Sequence, residues 1–178
     1  VLFRSEKELE DRFPHALANG EFHMYLQPKV ALPERRIVGA EALVRWISPE
    51  GMLCPNEFVP LFERDGVIAE LDFYMFCQVC ALLKRWEREG RPLFCVSVNV
   101  SRSNFDVSDF FARYERHIAE NQVPARYLEF EFTESVVFDR TGEINQVIRR
   151  IHALGARCSM DDFGSSYSSL NMLRRSEE

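Results

Sequence analysis

Four short stretches of the chain each carry an acid or an amide. They are Glu41 in Val38-Gly-Ala-Glu-Ala-Leu-Val-Arg-Trp46, Asn99 in Val96-Ser-Val-Asn-Val-Ser101, Glu131 in Leu128-Glu-Phe-Glu-Phe-Thr-Glu134, and Asp161-Asp162 in Cys158-Ser-Met-Asp-Asp-Phe-Gly164. All five are hard oxygen ligands, and no thiol or imidazole stands with them; gathered in one place they suit Mg²⁺ or Mn²⁺. Each stretch is strand-like, and helix-like segments separate them. Parallel strands joined by helices bring their carboxyl ends to one rim, where barrel and open α/β enzymes place their chemistry.

The alternation within each stretch supports this placement, because residues two apart share a face of a strand. Leu128, Phe130 and Phe132 fall opposite Glu129 and Glu131. Val96, Val98 and Val100 oppose Cys95, Ser97 and Asn99. Glu41, Leu43 and Arg45 share a face, and so do Ser159 and Asp161; Asp162 points away unless the strand has already ended. The apolar faces would lie under crossover helices and the polar faces would look into a barrel mouth. The alternative is a set of amphipathic antiparallel strands with one wet face; the intervening helices weigh against it.

The elements that must hold these residues alternate along the chain. Glu6 to Leu17 reads as a charged helix, stopped by Asn19-Gly20. His23 to Val30 alternates, with Tyr25, Gln27 and Lys29 on one face, and Pro28 within it marks an edge or irregular strand. Pro33-Glu-Arg-Arg is a turn before a strand at Ile37–Trp46, and Ser48-Pro-Glu-Gly51 is another. Pro55 to Glu89 reads as helical, with Ile68, Leu71, Met75, Val79, Leu82 and Trp86 as its inward stripe. A strand at Leu93–Val100 follows, then a helix with Phe110, Phe111, Tyr114 and Ile118 inward. Next come a strand at Tyr127–Phe132, a helix with Ile144, Val147, Ile148, Ile151 and Leu154 inward, Gly155 just past its end, and a strand at Arg157–Met160. The four later strands are expected to pair in sequence order. Phe163 to Leu170 is a hydroxyl-rich loop.

Composition narrows the function classes. The 178 residues carry 28% charged residues and a net charge of -6, which argues against a nucleic-acid polymer as partner but leaves room for an anionic substrate beside a metal. No run of eighteen apolar residues marks a membrane span, and nothing in this chain predicts membrane contact. The start, Val1-Leu-Phe-Arg-Ser, resembles neither a signal peptide nor an initiator sequence and reads as a cut end. Five cysteines (54, 77, 80, 95 and 158) are too scattered for a disulfide framework and fit a reducing cytoplasm. Cys77-Gln-Val-Cys80 has metal or redox spacing, but it sits in a helical pattern with no second pair and reads as small core-facing residues. The four histidines are isolated in sequence and receive no ligand role.

Together these stretches resemble the EAL family, the bacterial phosphodiesterases that cleave cyclic di-GMP. The signature Glu41-Ala-Leu43 stands in the fuller form Glu-Ala-Leu-Val-Arg-Trp. Tyr25-Leu-Gln-Pro-Lys29 looks like the family's first strand, and Phe58-Val-Pro-Leu-Phe-Glu63 like its Phe-Ile-Pro-Leu-Ala-Glu segment. Val98-Asn-Val-Ser101, Glu131-Phe-Thr-Glu134 and Asp161-Asp-Phe-Gly164 follow in family order. Six ordered motifs are a far more specific signal than a lone Glu-Ala-Leu.

The resemblance implies an α/β fold, a modified (β/α)8 TIM-type barrel truncated after about the fifth or sixth strand. It divides the chain into an N-terminal linker helix at 1–20 and a partial EAL domain at 21–178. It implies a two-metal site for Mg²⁺ or Mn²⁺. Glu41, Asn99, Glu131 and Asp161 would hold one ion, with Asp161 and Asp162 serving the second. Gln27, Leu43 and Arg45 would contact cyclic di-GMP, and Glu134 would hold the loop after Asp162. Arg45 could instead be a surface charge beside Trp46, and Glu134 a plain helix N-terminal acid. The family's later Lys, its Glu in the following conserved segment and its terminal Gln would fall beyond Glu178, and the general base with them, so the 178 residues alone are expected to be inactive and poorly stable. Ser166 replaces the second Gly of the family loop and narrows its backbone freedom. The activity implied is cleavage to linear pGpG in a cytoplasmic protein with an upstream sensory or GGDEF domain, homodimerisation being open. The alternative is a non-catalytic cyclic di-GMP receptor.

Overall fold

The computed structural model describes residues 6–32, 34–133, 136–137 and 140–161. Helix α1 (Glu6–Ala18) is followed by strands β1 (Phe22–Ala31), β2 (Arg36–Ser48) and β3 (Gly51–Leu53). Helices α2 (Pro55–Arg64) and α3 (Ile68–Arg88) lead to β4 (Cys95–Val100). After α4 (Phe111–Glu120) come β5 (Leu128–Thr133), α5 (Thr141–Ala153) and β6 (Arg157–Asp161). The strands form one mixed sheet in the order β1-β2-β4-β5-β6, with β3 paired to β2. β1 and β3 run antiparallel to β2. β2, β4, β5 and β6 are mutually parallel and lie side by side in sequence order, as expected.

β1 is the edge strand that Pro28 demands, since proline has no N–H to give a ladder; its register slips between Lys29 and Val30. β2 and β4 approach closely at Gly39, where a Cβ would sit 2.9 Å from the Cys95 carbonyl oxygen. A side chain there would push the first parallel pair apart.

The two sides of the sheet divide by chemistry. Ala42, Val96, Val98, Val100, Leu128, Phe130 and Phe132 are buried together with Phe76, Val79 and Leu83 of α3, Phe111 and Tyr114 of α4, and Ile144, Val147 and Ile151 of α5. The helices therefore cover the apolar face, and the period-two alternation of β4 and β5 becomes an inside and an outside. A second cluster closes the amino end: Leu9, Phe13 and Ala16 of α1 pack with Phe22, Trp46, Phe58 and Phe62. The helix set apart above as a linker thus contributes buried side chains to the domain, and Arg64 on α2 also bonds Glu6 and Glu10. Trp46 is fully buried, meets Phe58 edge-on at 5.6 Å, and donates its indole N–H to Glu21 at 2.8 Å. Truncating any one of these rings costs about 3–5 kcal/mol.

Several expectations need correction. The helical run Pro55–Glu89 is two helices, because Gly66 takes φ +75° while the Asp65 and Gly66 N–H groups cap the carbonyls of Leu61 and Glu63. The turn at Ser48–Gly51 continues into β3, with Gly51 at φ +129°. After β4 the chain makes a 3-10 turn, Arg102–Asp106, before α4. On α5, Ile148 and Leu154 are half-buried while Ile144, Val147 and Ile151 form the inward stripe. Gly155 does stop that helix, at φ +77°.

Candidate metal and ligand site

The register lines the polar residues up in rows across the parallel strands. Gln27 faces Glu41, Glu41 faces Ser97, Ser97 faces Glu129, and Glu129 faces Arg157. One step nearer the carboxyl ends, Tyr25 faces Leu43, while Asn99 faces Glu131 and Glu131 faces Ser159. One step further, Thr133 faces Asp161. Residues in register share a face, so Glu41, Asn99 and Glu131 stand on the side opposite the helices, and the backbone of Asp161 is in register with Thr133.

The side chains meet across these rows. Asn99 Nδ2 donates to Glu41 Oε1 at 3.2 Å, and Ser159 Oγ donates to Glu131 Oε1 at 3.4 Å. Lys29 of β1 reaches Glu131 of β5, its ammonium 2.5 Å from Oε1 and 3.8 Å from Glu129 Oε1. Two strands lie between β1 and β5. On a flat sheet their backbones would stand roughly 14 Å apart with side chains perpendicular to the surface. The contact therefore requires the sheet to curl, as a barrel wall does. Gly39, the ladder partner of Lys29, places no side chain beside the lysine stem. Burial would lower the Lys29 pKa, but Glu131, Glu129 and Glu41 outweigh it and hold the value above the ordinary lysine range.

Arg45 packs over the ring of Tyr25 at 5.6 Å and donates to the Val44 carbonyl at 2.8 Å. It lies on the face of Glu41 and Leu43, away from the buried Trp46, which places it on the wet side rather than beside the tryptophan. Gln27 is exposed, and Leu43 is half-buried. A cavity of about 430 Å³ opens at the carboxyl ends of β2, β4 and β5. Leu43, Val59, Ile68 and Met75 give it apolar walls, and Asn99 and Glu131 border it with amide and carboxylate.

The donor set of this face suits a hard cation. Glu41, Asn99 and Glu131 are all oxygen donors, and an ammonium already sits against one of them as a stand-in positive charge. Among the described residues no three His, Cys, Asp or Glu side chains converge as a metal group. The described ligands are two acids and an amide; Glu134 and Asp162 lie outside the described residues, and Asp161 is placed by its backbone alone.

Two polar residues of this region received no role from sequence reasoning. Lys29 was visible as the third member of the Tyr25, Gln27, Lys29 face, and that position is the signal that could have assigned it. Asp72 gave no local signal. It is buried on α3 and accepts three hydrogen bonds: from Ser101 N–H at 2.8 Å, Ser101 Oγ at 2.5 Å and Asn104 Nδ2 at 2.7 Å. Tyr114 O–H donates to Asn104 Oδ1 at 3.3 Å. Asp72 thus anchors the turn that follows Asn99. Desolvation pushes its carboxyl up to about 6, against the opposing pull of Ser101 and Asn104.

Cysteine and histidine also come closer than sequence suggested. Cys77 Sγ lies 3.7 Å from His117 Nδ1, and Cys158 Sγ lies 3.4 Å from His152 Nε2. Burial pushes the Cys77 thiol up to about 11, so it stays protonated and remains a poor ligand. All five cysteines are free.

A curled α/β sheet with acids and an amide on its inner face at the strands' carboxyl ends defines a barrel-type ligand site. The chain belongs to the EAL domain family, whose profile matches residues 10–177. It is 36% identical over 154 residues to cyclic di-GMP phosphodiesterase PA2567 of Pseudomonas aeruginosa, covering 86% of this chain and 26% of that protein. It superposes on the PaMucR phosphodiesterase, solved as a c-di-GMP complex, with a TM-score of 0.83 and 28% identity, covering 94% of this chain and 68% of that one. The same fold recurs in Vibrio cholerae LapD, solved as S helix-GGDEF-EAL, with a TM-score of 0.83 at 15% identity, covering 98% of this chain and 42% of that one. The chain spans between about a fifth and about half of the length of the curated relatives it matches.

Proposed function

We propose that the intact protein hydrolyses cyclic di-GMP to linear pGpG with Mg²⁺ or Mn²⁺. The observation that carries this reading is the set of hard oxygen donors, Glu41, Asn99 and Glu131, on one face of three neighbouring parallel strands, in a chain related to named cyclic di-GMP phosphodiesterases. Glu41, Asn99, Glu131 and Asp161 would hold one ion, and Asp161 with Asp162 a second. Bound there, such ions neutralise a phosphodiester oxygen and lower the pKa of the attacking water.

The chain's own residues then have definite tasks. Asn99 keeps the Glu41 carboxylate oriented through its amide hydrogen bond. Ser159 does the same for Glu131. Arg45, held against Tyr25, offers a guanidinium fork for phosphate oxygens, and Gln27 and Leu43 stand within two ladder positions of Glu41 to receive the rest of the dinucleotide. Glu134 is assigned to hold the loop after Asp162. The upstream partner proposed is a sensory or GGDEF domain joined through α1, in a cytoplasmic protein. No described helix is long and apolar enough to cross a membrane.

The test is cyclic di-GMP turnover by the full-length protein with Mg²⁺, Mn²⁺ or EDTA. Turnover with either ion, its loss in EDTA, and inhibition by the larger, less geometrically demanding Ca²⁺ are expected. Full activity in EDTA would overturn the reading; tight binding of cyclic di-GMP with no turnover under Mn²⁺ would assign the protein as a receptor.

A further inference from the structure

Lys29 occupies a position that the metal reading does not use. Its ammonium bonds Glu131, whose side chain is only 8% exposed, and it also faces Glu129 and Glu41. A buried carboxylate without a compensating charge is strongly unfavourable, and three acids on one inner wall repel one another. We propose that Lys29 is the resident counter-cation of the metal-free site: it holds Glu131 in place until a divalent ion arrives, and the ion displaces it. The proposal rests on the assignment of Glu131 as a metal ligand.

The geometry fits exchange better than permanent pairing. Lys29 and a hard cation compete for the same atom, Glu131 Oε1. The lysine comes from an edge strand at a point of register slip, and its ladder partner on β2 is Gly39, which carries no side chain. Its side chain is 38% exposed, so the ammonium can withdraw into water at little cost. A lysine suits this task where an arginine would not, because it is a compact point charge on a flexible stem rather than a bidentate fork.

Two consequences follow. Without metal, loss of the Lys29 charge leaves Glu131 uncompensated and lowers stability. With metal, loss of the competitor raises affinity. The experiment measures Mn²⁺ binding by titration calorimetry and metal-free thermal melts for the full-length protein and its Lys29→Met, Lys29→Arg, Glu131→Gln and Lys29→Met/Glu131→Gln variants. Lys29→Met is expected to melt lower by about 3–8 °C in EDTA and to bind Mn²⁺ on the order of tenfold tighter. Lys29→Arg should melt like wild type. In the Glu131→Gln background, Lys29→Met should cost almost nothing, and this pair decides the question if the single variant does not fold. A Lys29→Met protein that melts with wild type in EDTA, or that binds Mn²⁺ no more tightly than wild type, overturns the proposal while leaving the metal site standing. Wild type that binds no Mn²⁺ overturns the metal site itself, and the proposal with it.

Discussion

Two polar clusters sit about the carboxyl half of β4, and they solve opposite problems. On the inner face, Glu41, Glu129 and Asn99 keep some contact with water, Glu131 is buried, and the Lys29 ammonium bonds Glu131 and lies near Glu129. On the helix side, Asp72 is buried beside Ser101 and Asn104 with no ion pair among the described residues, and three neutral donors hold it instead. The first arrangement keeps oxygens available for an incoming ligand. The second gathers three donors on one carboxylate and fixes the backbone immediately after Asn99. Exchange and rigidity are thus kept apart: the proposed ligand groups rest on a withdrawable ammonium, and the turn beside them is held by neutral hydrogen bonds.

Substitutions that separate binding from bracing sharpen this contrast. The largest effect is expected on the inner face, where Glu41→Ala should lower cyclic di-GMP turnover by about a thousandfold or more while leaving the melt within a few degrees of wild type. Glu41 is half-buried, so its loss opens no core void; steady-state rates and differential scanning fluorimetry check both halves. On the buried side the balance inverts. Asp72→Ala strands the Ser101 N–H and the Asn104 amide and should cost about 3 kcal/mol of stability, measured by urea denaturation. A variant that kept its stability but lost activity would break the distinction between the two clusters.

A pH experiment sharpens the second cluster further. The folded Asp72 carboxyl keeps its proton up to about pH 6, whereas its ordinary value is 3.8. The native state thus binds more protons than the unfolded state between these values, so this group's contribution is most favourable below 3.8 and is lost as pH rises through 6. The stability gap between wild type and Asp72→Asn should shift in favour of wild type at pH 4.5 relative to pH 8. Carbon-detected NMR titration of Asp72 reads the same transition directly. The smallest effect belongs outside both clusters. Arg150 pairs with Glu115 and Asp109 at the surface, and Arg150→Met should cost under about 1 kcal/mol.

The inner face was legible because it depends on a period of two. Glu129 and Glu131 had to leave the core once Leu128, Phe130 and Phe132 entered it, and sequence-order pairing of the parallel strands then aligned Asn99 with Glu131 and Thr133 with Asp161. Three other features could not be read the same way. Asp72 neighbours Leu71 on the apolar helix and looks misplaced until the fold brings Ser101 and Asn104 to it. The break at Asp65-Gly66-Val67 was hidden because apolar residues at three- and four-residue steps run on through both helices. The reach of Lys29 to Glu131 depends on sheet curvature, which no local pattern encodes. The expected loop from Phe163 to Leu170 and the assignments of Glu134 and Asp162 lie outside the described residues.

The proposed divalent-metal site for phosphodiester cleavage can be seen by diffraction from crystals grown with Mn²⁺ and a non-hydrolysable cyclic di-GMP analogue, collected at the manganese edge. An anomalous peak bonded to oxygens of Glu41, Asn99, Glu131 and Asp161 is expected, with the Lys29 ammonium withdrawn from Glu131. A manganese peak elsewhere, or an inner face that holds Lys29 on Glu131 and no metal at saturating Mn²⁺, would contradict it.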